Sequence, residues 1–392
     1  MRVLQVHNRY RLRGGEETVV ENTLDMLNRR GVAATLFDKA SADVGGGLTA
    51  KVRAVFSAIY APSSRKEMHR LLEREQPDIV HVHNLYPLIS PSVLAACREA
   101  GVPAVMTVHN YRLICPIAVH FRDGRICTEC ASGREWNCAV HNCRGNRIES
   151  AAYALRNWTV RRLGLYRKNV TLYLAISQFL KDWLVAERLP ANRVVVTPNM
   201  ITLPSGPIAD AGAGAYAGFA GRASAEKGID VLIEAARQAP GVPVTIAGHG
   251  PLLARFKANA PENVHFPGML SREGLAGFYQ GLRFLVVPSV WYETFGLVAC
   301  EAMSHGIPVI ASKIGGLQEI VRNGETGLHF EPGNAEDLAE KMRALWNDPD
   351  RCRTMGQAGR ALVEREYSEP VYFENLMAAY EQARTLGGPP TD

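Results

Sequence analysis

Twice along this chain a short apolar run stops at a polar or glycine-bearing turn, gives way to a stretch with helical spacing, and starts again. In the first half the runs are residues 2–7 (RVLQVH), 34–37, 78–82, 104–108, 171–176 and 193–196. In the second half they are 216–220, 244–247, 264–266, 284–287 and 308–311. Runs this short, alternating with helices, read as strands buried on both faces, and such strands form parallel sheets. The intervening helices are expected after Gly14-Gly15 (Val20, Leu24 and Leu27 on one face, ending at Gly31), over 52–72 with a break at Pro62, and over 91–100, 148–168, 229–238, 336–346 and 370–386. Between the two arrays, Pro198-Asn199 closes the first, and residues 203–214 (LPSGPIADAGAG) have the composition of a linker. The expectation is a two-domain α/β chain, 1–198 and 199–366. In such sheets ligands sit beyond the carboxyl ends of the strands, so the residues just after each run are the candidates for chemistry.

At 392 residues the chain exceeds what one hydrophobic core ordinarily organises. With 47% hydrophobic and 21% charged residues, no apolar run of membrane-span length and no apolar leader in MRVLQVHNRY, it reads as globular and cytoplasmic. Charge is uneven. Residues 1–200 carry 28 Lys and Arg against 17 Asp and Glu, whereas residues 201–392 carry 16 against 22. A basic first half suggests an anionic partner, either a membrane surface or a phosphate-bearing acceptor, and no nucleic-acid motif is present.

The stretch from Phe284 to Ala302 (FLVVPSVWYETFGLVACEA) reads as a strand, a loop with Glu293 and a helix holding Glu301. Were the segment between them helical, eight residues at ~1.5 Å each would set the carboxylates about 12 Å apart on nearly one face. That spacing suits two ends of one elongated ligand, and the amides of Thr294, Phe295 and Gly296 lie where a phosphate or hydroxyl could bind. A helix with an acidic first turn is the competing account. After the first strand of this half comes Gly221-Arg222-Ala223-Ser224-Ala225-Glu226-Lys227-Gly228, a glycine-bounded turn whose cations suit a diphosphate. Gly248-His249-Gly250 repeats the theme more weakly, and Asp348-Pro349-Asp350 follows a helical pattern and reads as a helix stop.

In the first half the Gly14-Gly15 pair follows a strand, but no dinucleotide fingerprint follows it, and a tight turn is an equal reading. Histidines stand at two strand ends, His81 and His83 after one and His109 after another. His109 is the leading cleft residue, while His81 can equally be a satisfied core histidine. A loop over 115–143 holds Cys127-x2-Cys130 and Cys138-x4-Cys143, the internal spacing of zinc pairs, with reduced unliganded thiols as the alternative. Arg156, Arg161, Arg162, Arg167 and Lys168 alternate with Trp158, Leu163, Leu165 and Tyr166, which fits a helix lying on an anionic bilayer or one packing its aromatics inward.

The Glu293–Glu301 pair in YETFGLVACEAMSHGIPVIAS, the GRASAEKG turn, the following GGLQEIVRNGETGLHFEPGNAEDLAEKM and the N-terminal glycine pair together resemble a family 4 glycosyltransferase. The likeness is dense over the second half and thinner over the first. It implies a GT-B fold, two Rossmann-like domains with parallel sheets facing a central cleft, and a final helix, 370–386, that completes the first domain. It also implies a nucleotide-sugar donor held mainly by the second domain and an acceptor held by the first, with retention of configuration and no metal or cofactor required. By the resemblance, Glu293 with the amides of Phe295 and Gly296 holds the donor sugar and Glu301 the ribose. Arg222 and Lys227 stabilise the leaving diphosphate with Gly15 opposite, and His109 lies by the reacting centre. Met269 and Leu270 meet the base. Gly14, Asn199, Gly221, Gly248, Thr294 and Leu297 complete the expected donor set, and Glu16, His83 and Asn84 the acceptor set. The expected function is transfer of a hexose-type sugar from a UDP- or GDP-linked donor to a saccharide or lipid-linked saccharide of a bacterial polysaccharide or glycoconjugate, at the inner membrane face. A transferase for a soluble small molecule and a nucleotide-sugar epimerase are the alternatives. The cysteine loop departs from the family's common core.

Overall fold

The computed structural model describes residues 1–10, 14–40, 57 and 59–387. The chain divides into two compact units, one of Met1–His120, Cys127–Pro198 and Tyr372–Asp392, the other of Phe121–Ile126 and Asn199–Val371.

The first unit is built on a six-stranded sheet. Its strands are β1 (Arg2–Arg9), β2 (Ala33–Ala40), β3 (Ile79–Val82) and β4 (Ala104–Val108), then, after a two-stranded antiparallel hairpin of β5 (Phe121–Arg122) and β6 (Arg125–Ile126), β7 (Leu172–Ala175) and β8 (Val194–Val196). The order is β2-β1-β3-β4-β7-β8, every neighbouring pair parallel. β3 and β4 are buried along their whole length, which explains their mainly apolar character, and their polar residues His81 and Thr107 are hydrogen-bonded to each other. The chain runs outward from β1 to β2 and then returns to the other side of β1, so the direction of winding reverses between β1 and β3.

The last helix, Glu369–Leu386, places Tyr372, Leu376, Ala379, Tyr380 and Ala383 on one buried stripe at helical spacing. Its tyrosines are tied to the first unit. Tyr372 Oη lies 3.2 Å from Thr23 Oγ1, and Tyr380 Oη lies 2.8 Å from His81 Nδ1, whose Nε2 is 2.7 Å from Thr107 Oγ1. His81 is therefore a satisfied core histidine.

The second unit repeats the plan with β9 (Tyr216–Ala220), β10 (Val244–Ala247), β11 (Val264–Gly268), β12 (Leu282–Val287), β13 (Val309–Ser312) and β14 (Gly327–Phe330). The order β11-β10-β9-β12-β13-β14 is again all parallel, and here the winding reverses between β9 and β12.

Several elements differ from the sequence reading. β14 and the hairpin lack an apolar run, and the helix Pro349–Glu366 has too polar a surface to stand out. Asp348-Pro349 ends one helix but also starts this one, since Asp348 Oδ1 accepts from the Arg351 amide at 3.0 Å and Pro349 takes the first turn, where no amide is needed. The basic helix ends at Arg162, not Lys168. Of the segment expected over 52–72, the helix Pro62–Glu75 is present, whereas 51–56 and 58 lie outside the described residues.

Tyr380→Phe removes the hydroxyl that meets His81 Nδ1 in a fully buried position. The expected cost is about 1–3 kcal/mol, read as a lowered denaturation midpoint with little change in far-ultraviolet circular dichroism. An unchanged midpoint would mean that the helix docks through its apolar stripe alone.

Candidate active site

In the second unit the chemistry collects where β9 and β12 end. The turn after β9 runs through Ala225–Lys227 to Gly228, which has φ +64° and sits so close to the loop after β12 that a Cβ would lie 1.9 Å from the Pro288 carbonyl oxygen. The Val290 amide donates to the Glu226 carbonyl at 3.0 Å, knitting the two loops. This brings Lys227 to Glu293. The Lys227 ammonium donates to Glu293 Oε1 at 2.6 Å, the Ser289 hydroxyl donates to the same oxygen at 2.6 Å, and Lys227 Nζ stands 5.3 Å from the Trp291 ring centre. Glu293 is 7% exposed, so this is a mostly buried, charge-assisted pair.

The turn after β13 holds the Glu293 loop from behind. Gly315, at φ +56°, packs so closely that a Cβ would fall 2.5 Å from the Glu293 carbonyl oxygen, and the Gly316 amide donates to that oxygen at 2.7 Å. The helix itself starts only at Leu297, with Gly296 as its cap at φ +113°. The segment from Glu293 to Gly296 is not helical, so the 12 Å spacing drawn from helical geometry does not apply. Thr294 and Phe295 are buried and Leu297 is half-buried. Glu301 accepts from the Tyr279 hydroxyl at 3.0 Å, and burial raises its pKa despite that bond.

Arg222 points elsewhere in this state. Its guanidinium donates to Glu226 Oε1 at 2.6 Å and to Ser224 Oγ at 3.2 Å, and its side chain is 60% exposed. Burial opposes ionisation of Glu226, but bonds from Ser224 and Arg222 outweigh it and hold the carboxyl below its ordinary range. Gly221 and Gly248 are strand-end glycines linked through backbone bonds, Gly221 to Ala247 and Gly248 to Gly268. Asn199 is buried, Met269 is exposed and Leu270 half-buried just beyond β11. Ser289, Trp291, Tyr279 and the Gly315-Gly316 pair escaped the sequence reading; only the glycine pair, at a strand end, carried a recognisable signal.

In the first unit four histidines gather at the carboxyl ends of the strands, His7 on β1, His81 on β3, and His83 and His109 just beyond β3 and β4. His83 Nδ1 is 3.0 Å from His109 Nε2, with the rings stacked 5.3 Å apart, while His81 lies 4.3 Å and His7 6.3 Å from His83 between ring centres. Burial lowers the pKa of His81 and His109 to about 3 and that of His83 well below its ordinary value, so these rings are neutral at pH 7. His7, which the sequence reading overlooked, faces Glu16 Oε1 at 3.9 Å and Glu17 Oε1 at 3.8 Å. Glu16 accepts from the Tyr10 hydroxyl at 3.2 Å and from Asn110 Nδ2 at 3.4 Å, and burial raises its pKa. Glu17 accepts from the amides of Tyr10 and Gly14, both at 2.9 Å, in the first turn of the helix Gly15–Arg29, whose cap Gly14 and first residue Gly15 are exposed. Asn84 is a loop clamp. Its amide donates to the carbonyls of Asn8 and Tyr86 and accepts from the Tyr86 amide, which leaves it little capacity for a ligand.

Glu16, His83, Asn84 and His109 line a small pocket with Tyr86, Arg112, Leu113 and Tyr166. Those last four residues also line a neighbouring cavity of about 380 Å³. Its walls combine Ile114, Val160, Leu184 and Leu189 with the arginines 112, 161, 167 and 188, and Arg161 is compensated by Glu135 at 2.5 Å and Glu187 at 2.7 Å.

Of the two readings of the cysteine loop, a zinc site or unliganded thiols, the arrangement of the side chains bears on the first. Among the described residues no group of three or more His, Cys, Asp or Glu is placed to hold a metal ion. Cys130 and Cys138 turn inward onto Ala154, with Cys143 packed beside them, while Cys127 is half-buried. Among the described residues none of the four forms a disulfide.

Comparison with known proteins gives two family matches, Glycosyltransferase Family 4 over residues 13–203 and Glycosyl transferases group 1 over residues 211–362. An uncharacterized glycosyltransferase of Methanocaldococcus jannaschii is 33% identical over 78% of this chain and 76% of its own. Sucrose-phosphate synthase from Thermosynechococcus elongatus superposes with a TM-score of 0.71, at 20% identity over 98% of this chain and 99% of that one. Anabaena HepE in complex with UDP and glucose gives 0.66, at 18% identity over 97% and 99%. The solved structures share the fold, two parallel-sheet α/β domains of GT-B type.

The neutral histidines set a pH dependence. Because their folded pKa values lie below the ordinary value of 6.5, the unfolded chain binds more protons as pH falls from about 6.5 towards about 3, and stability drops across that window by up to about 1.4 kcal/mol per pH unit for each histidine. Glu16, with its raised pKa, acts in the opposite sense, favouring the folded state as it takes up its proton. His109→Gln is expected to flatten the fall of the melting temperature between pH 6.5 and pH 4 relative to the parent chain. Parallel curves would remove His109 from the buried set.

Proposed function

The chain belongs to the family 4 glycosyltransferases of GT-B fold, and on that premise we propose that it is a retaining transferase moving a hexose-type sugar from a UDP- or GDP-linked donor to a lipid-linked saccharide. The observation that carries the donor half is the cluster of Lys227, Glu293 and Ser289 at the point where the second sheet reverses its winding. Crevices at such points are where open α/β sheets take phosphorylated ligands. HepE, solved with UDP, supports a uridine donor by likeness.

In this reading the diphosphate lies against the turn after β9. Lys227 neutralises the charge that grows on the departing phosphate, with Arg222 swinging from Glu226 to join it. A fixed cation placed there does the work that a divalent metal does elsewhere, so we propose that transfer needs no metal. Glu293, anchored by Ser289 and by Gly316 through its carbonyl, orients hydroxyls of the donor sugar with Thr294, Phe295 and Gly296, and Glu301 takes the ribose. His109, kept neutral by burial, is suited to accept a hydroxyl hydrogen bond or donate one without carrying charge.

For the acceptor, Glu16 and His83 face the small pocket that opens beside the 380 Å³ cavity. Aliphatic walls with arginines among them suit an amphiphile that carries phosphate, which favours a lipid-linked saccharide over a soluble small molecule. We place the enzyme, on this reading, as a peripheral protein at the inner membrane face in polysaccharide or glycoconjugate synthesis. Among the described residues no helix is long and apolar enough to cross a membrane.

The test is calorimetric binding of UDP, GDP and ADP, with and without EDTA, followed by turnover of the matching nucleotide sugar. Chelator-insensitive binding of UDP or GDP, and an acceptor-dependent product whose anomeric configuration matches the donor, are expected. Conversion of donor without acceptor would instead identify an epimerase, and inversion would overturn the retaining assignment. Lys227→Ala is expected to weaken nucleoside diphosphate binding by roughly ten- to a hundredfold, the loss of one charge-assisted bond of about 1.5–3 kcal/mol. Lys227→Arg should recover part of it, and unchanged affinity in Lys227→Ala would remove the lysine from the phosphate site.

A further inference from the structure

Among the described residues nine large hydrophobic side chains are exposed, and six of them fall between residues 136 and 163. Val140 is 75% exposed, Ile148 78% and Leu163 53%, with Trp136, Leu155 and Trp158 exposed as well. They come from two packed elements, the short helix Asn137–Val140 and the helix Arg147–Arg162. On the longer helix, Ile148, Leu155 and Trp158 fall within one stripe by helical spacing, and the opposite side buries Ser150, Ala154, Asn157 and Val160. Trp136 and Trp158 meet across the two elements with ring centres 6.3 Å apart, which joins the exposed end of the short helix to the exposed stripe of the longer one.

The charge along the longer helix and the turn after it is mainly positive. Residues 144–168 carry seven Arg and Lys against the single acid Glu149. Arg156 is turned inward over Tyr86 and Tyr153, and Arg161 is held by Glu135 and Glu187. Arg144 is exposed but paired with Glu149 at 3.7 Å, and Arg147, Arg162, Arg167 and Lys168 are exposed in the same stretch as the apolar groups. Tryptophans at the edge of an aliphatic patch, ringed by exposed cations, match the boundary between headgroups and acyl chains of an anionic bilayer. A second copy of this chain fits less well, because a two-fold contact through the same face would set its basic rim against itself.

We propose that this face, formed by the cysteine loop and the helix that follows it, seats the protein on an anionic lipid bilayer. The inference rests on the membrane half of the proposed function, and it assigns that half to particular residues. The face lies on the same unit as the acceptor pocket, and Val160, Arg161 and Gly164 of this region also line the 380 Å³ cavity. An acceptor anchored in the bilayer would thus have its phosphate end presented to the arginines of that cavity.

The experiment is co-sedimentation of the full chain with vesicles of phosphatidylcholine alone and of phosphatidylcholine mixed with phosphatidylglycerol, at low and high salt. The parent chain is expected to bind the anionic vesicles, to lose that binding with salt, and to show a blue shift of tryptophan emission. Ile148→Ser with Trp158→Ser, and separately Arg147→Glu with Arg162→Glu, should each weaken vesicle binding about tenfold or more while melting and nucleoside diphosphate binding stay at parental values. Parental vesicle binding in both double variants would overturn this face while leaving a peripheral membrane enzyme intact. No vesicle binding by the parent chain would overturn the membrane half altogether, and nucleotide binding and turnover of a water-soluble acceptor fragment would show separately whether the transferase reading survives. A parent chain that is dimeric in solution and made monomeric by Ile148→Ser with Trp158→Ser would assign the face to a second copy and overturn the proposal.

Discussion

A parallel strand cannot be followed by a tight hairpin to its neighbour, because the chain must travel back along the full length of the sheet before it can pair again. Everything in this protein follows from meeting that constraint in two units. Among the described residues the returns carry helices, the central strands are largely buried, and their residues reach solvent mainly at the strand ends. Where the winding reverses, two neighbouring returns leave in opposite directions and open a crevice. In the second unit that crevice holds Lys227 and Glu293, and in the first it holds His7 near the end of β1 and His83 just after β3. The two sites are consequences of the same backbone rule applied to different side chains.

The strands were legible because burial on both faces leaves an unbroken apolar run. β9, β10 and β4 match the apolar runs to the residue, and the helix Ile229–Gln238 matches its apolar periodicity. What failed to show had a physical reason. β14 is a four-residue edge strand in ETGLHFEP, with glycine and histidine where an apolar run would be sought. The hairpin Phe121–Ile126 is too short and too polar to carry a pattern. Asp348 has the same residue type at a helix end as at a helix start, and only its bond to the Arg351 amide tells which function it serves.

For the site, individual residues were easier to find than their partners. Lys227 and Glu293 both stood out by position, yet 66 residues separate them, and nothing in the chain between says that one donates to the other. His83 and His109 pose the same problem across β3 and β4, and His7 was hidden inside a run that reads as plain strand. The cysteines show the converse, since Cys130, Cys138 and Cys143, whose spacing reads as parts of metal pairs, pack together beside Ala154. Spacing reports what neighbours along the chain can do together, whereas burial and packing decide what distant residues become.

The pairing of Lys227 with Glu293 has one more consequence. With no anion near, the lysine's charge is answered from within the protein, by the same carboxylate oxygen that Ser289 also holds. At the proposed donor site an arriving phosphate would compete with a resident partner, and whatever drew Lys227 away would change what Glu293 can offer. Oε1 would then keep the Ser289 bond alone and gain capacity for another donor. On that proposal the pair would act as a latch, in which the diphosphate prepares the ground for the sugar it carries.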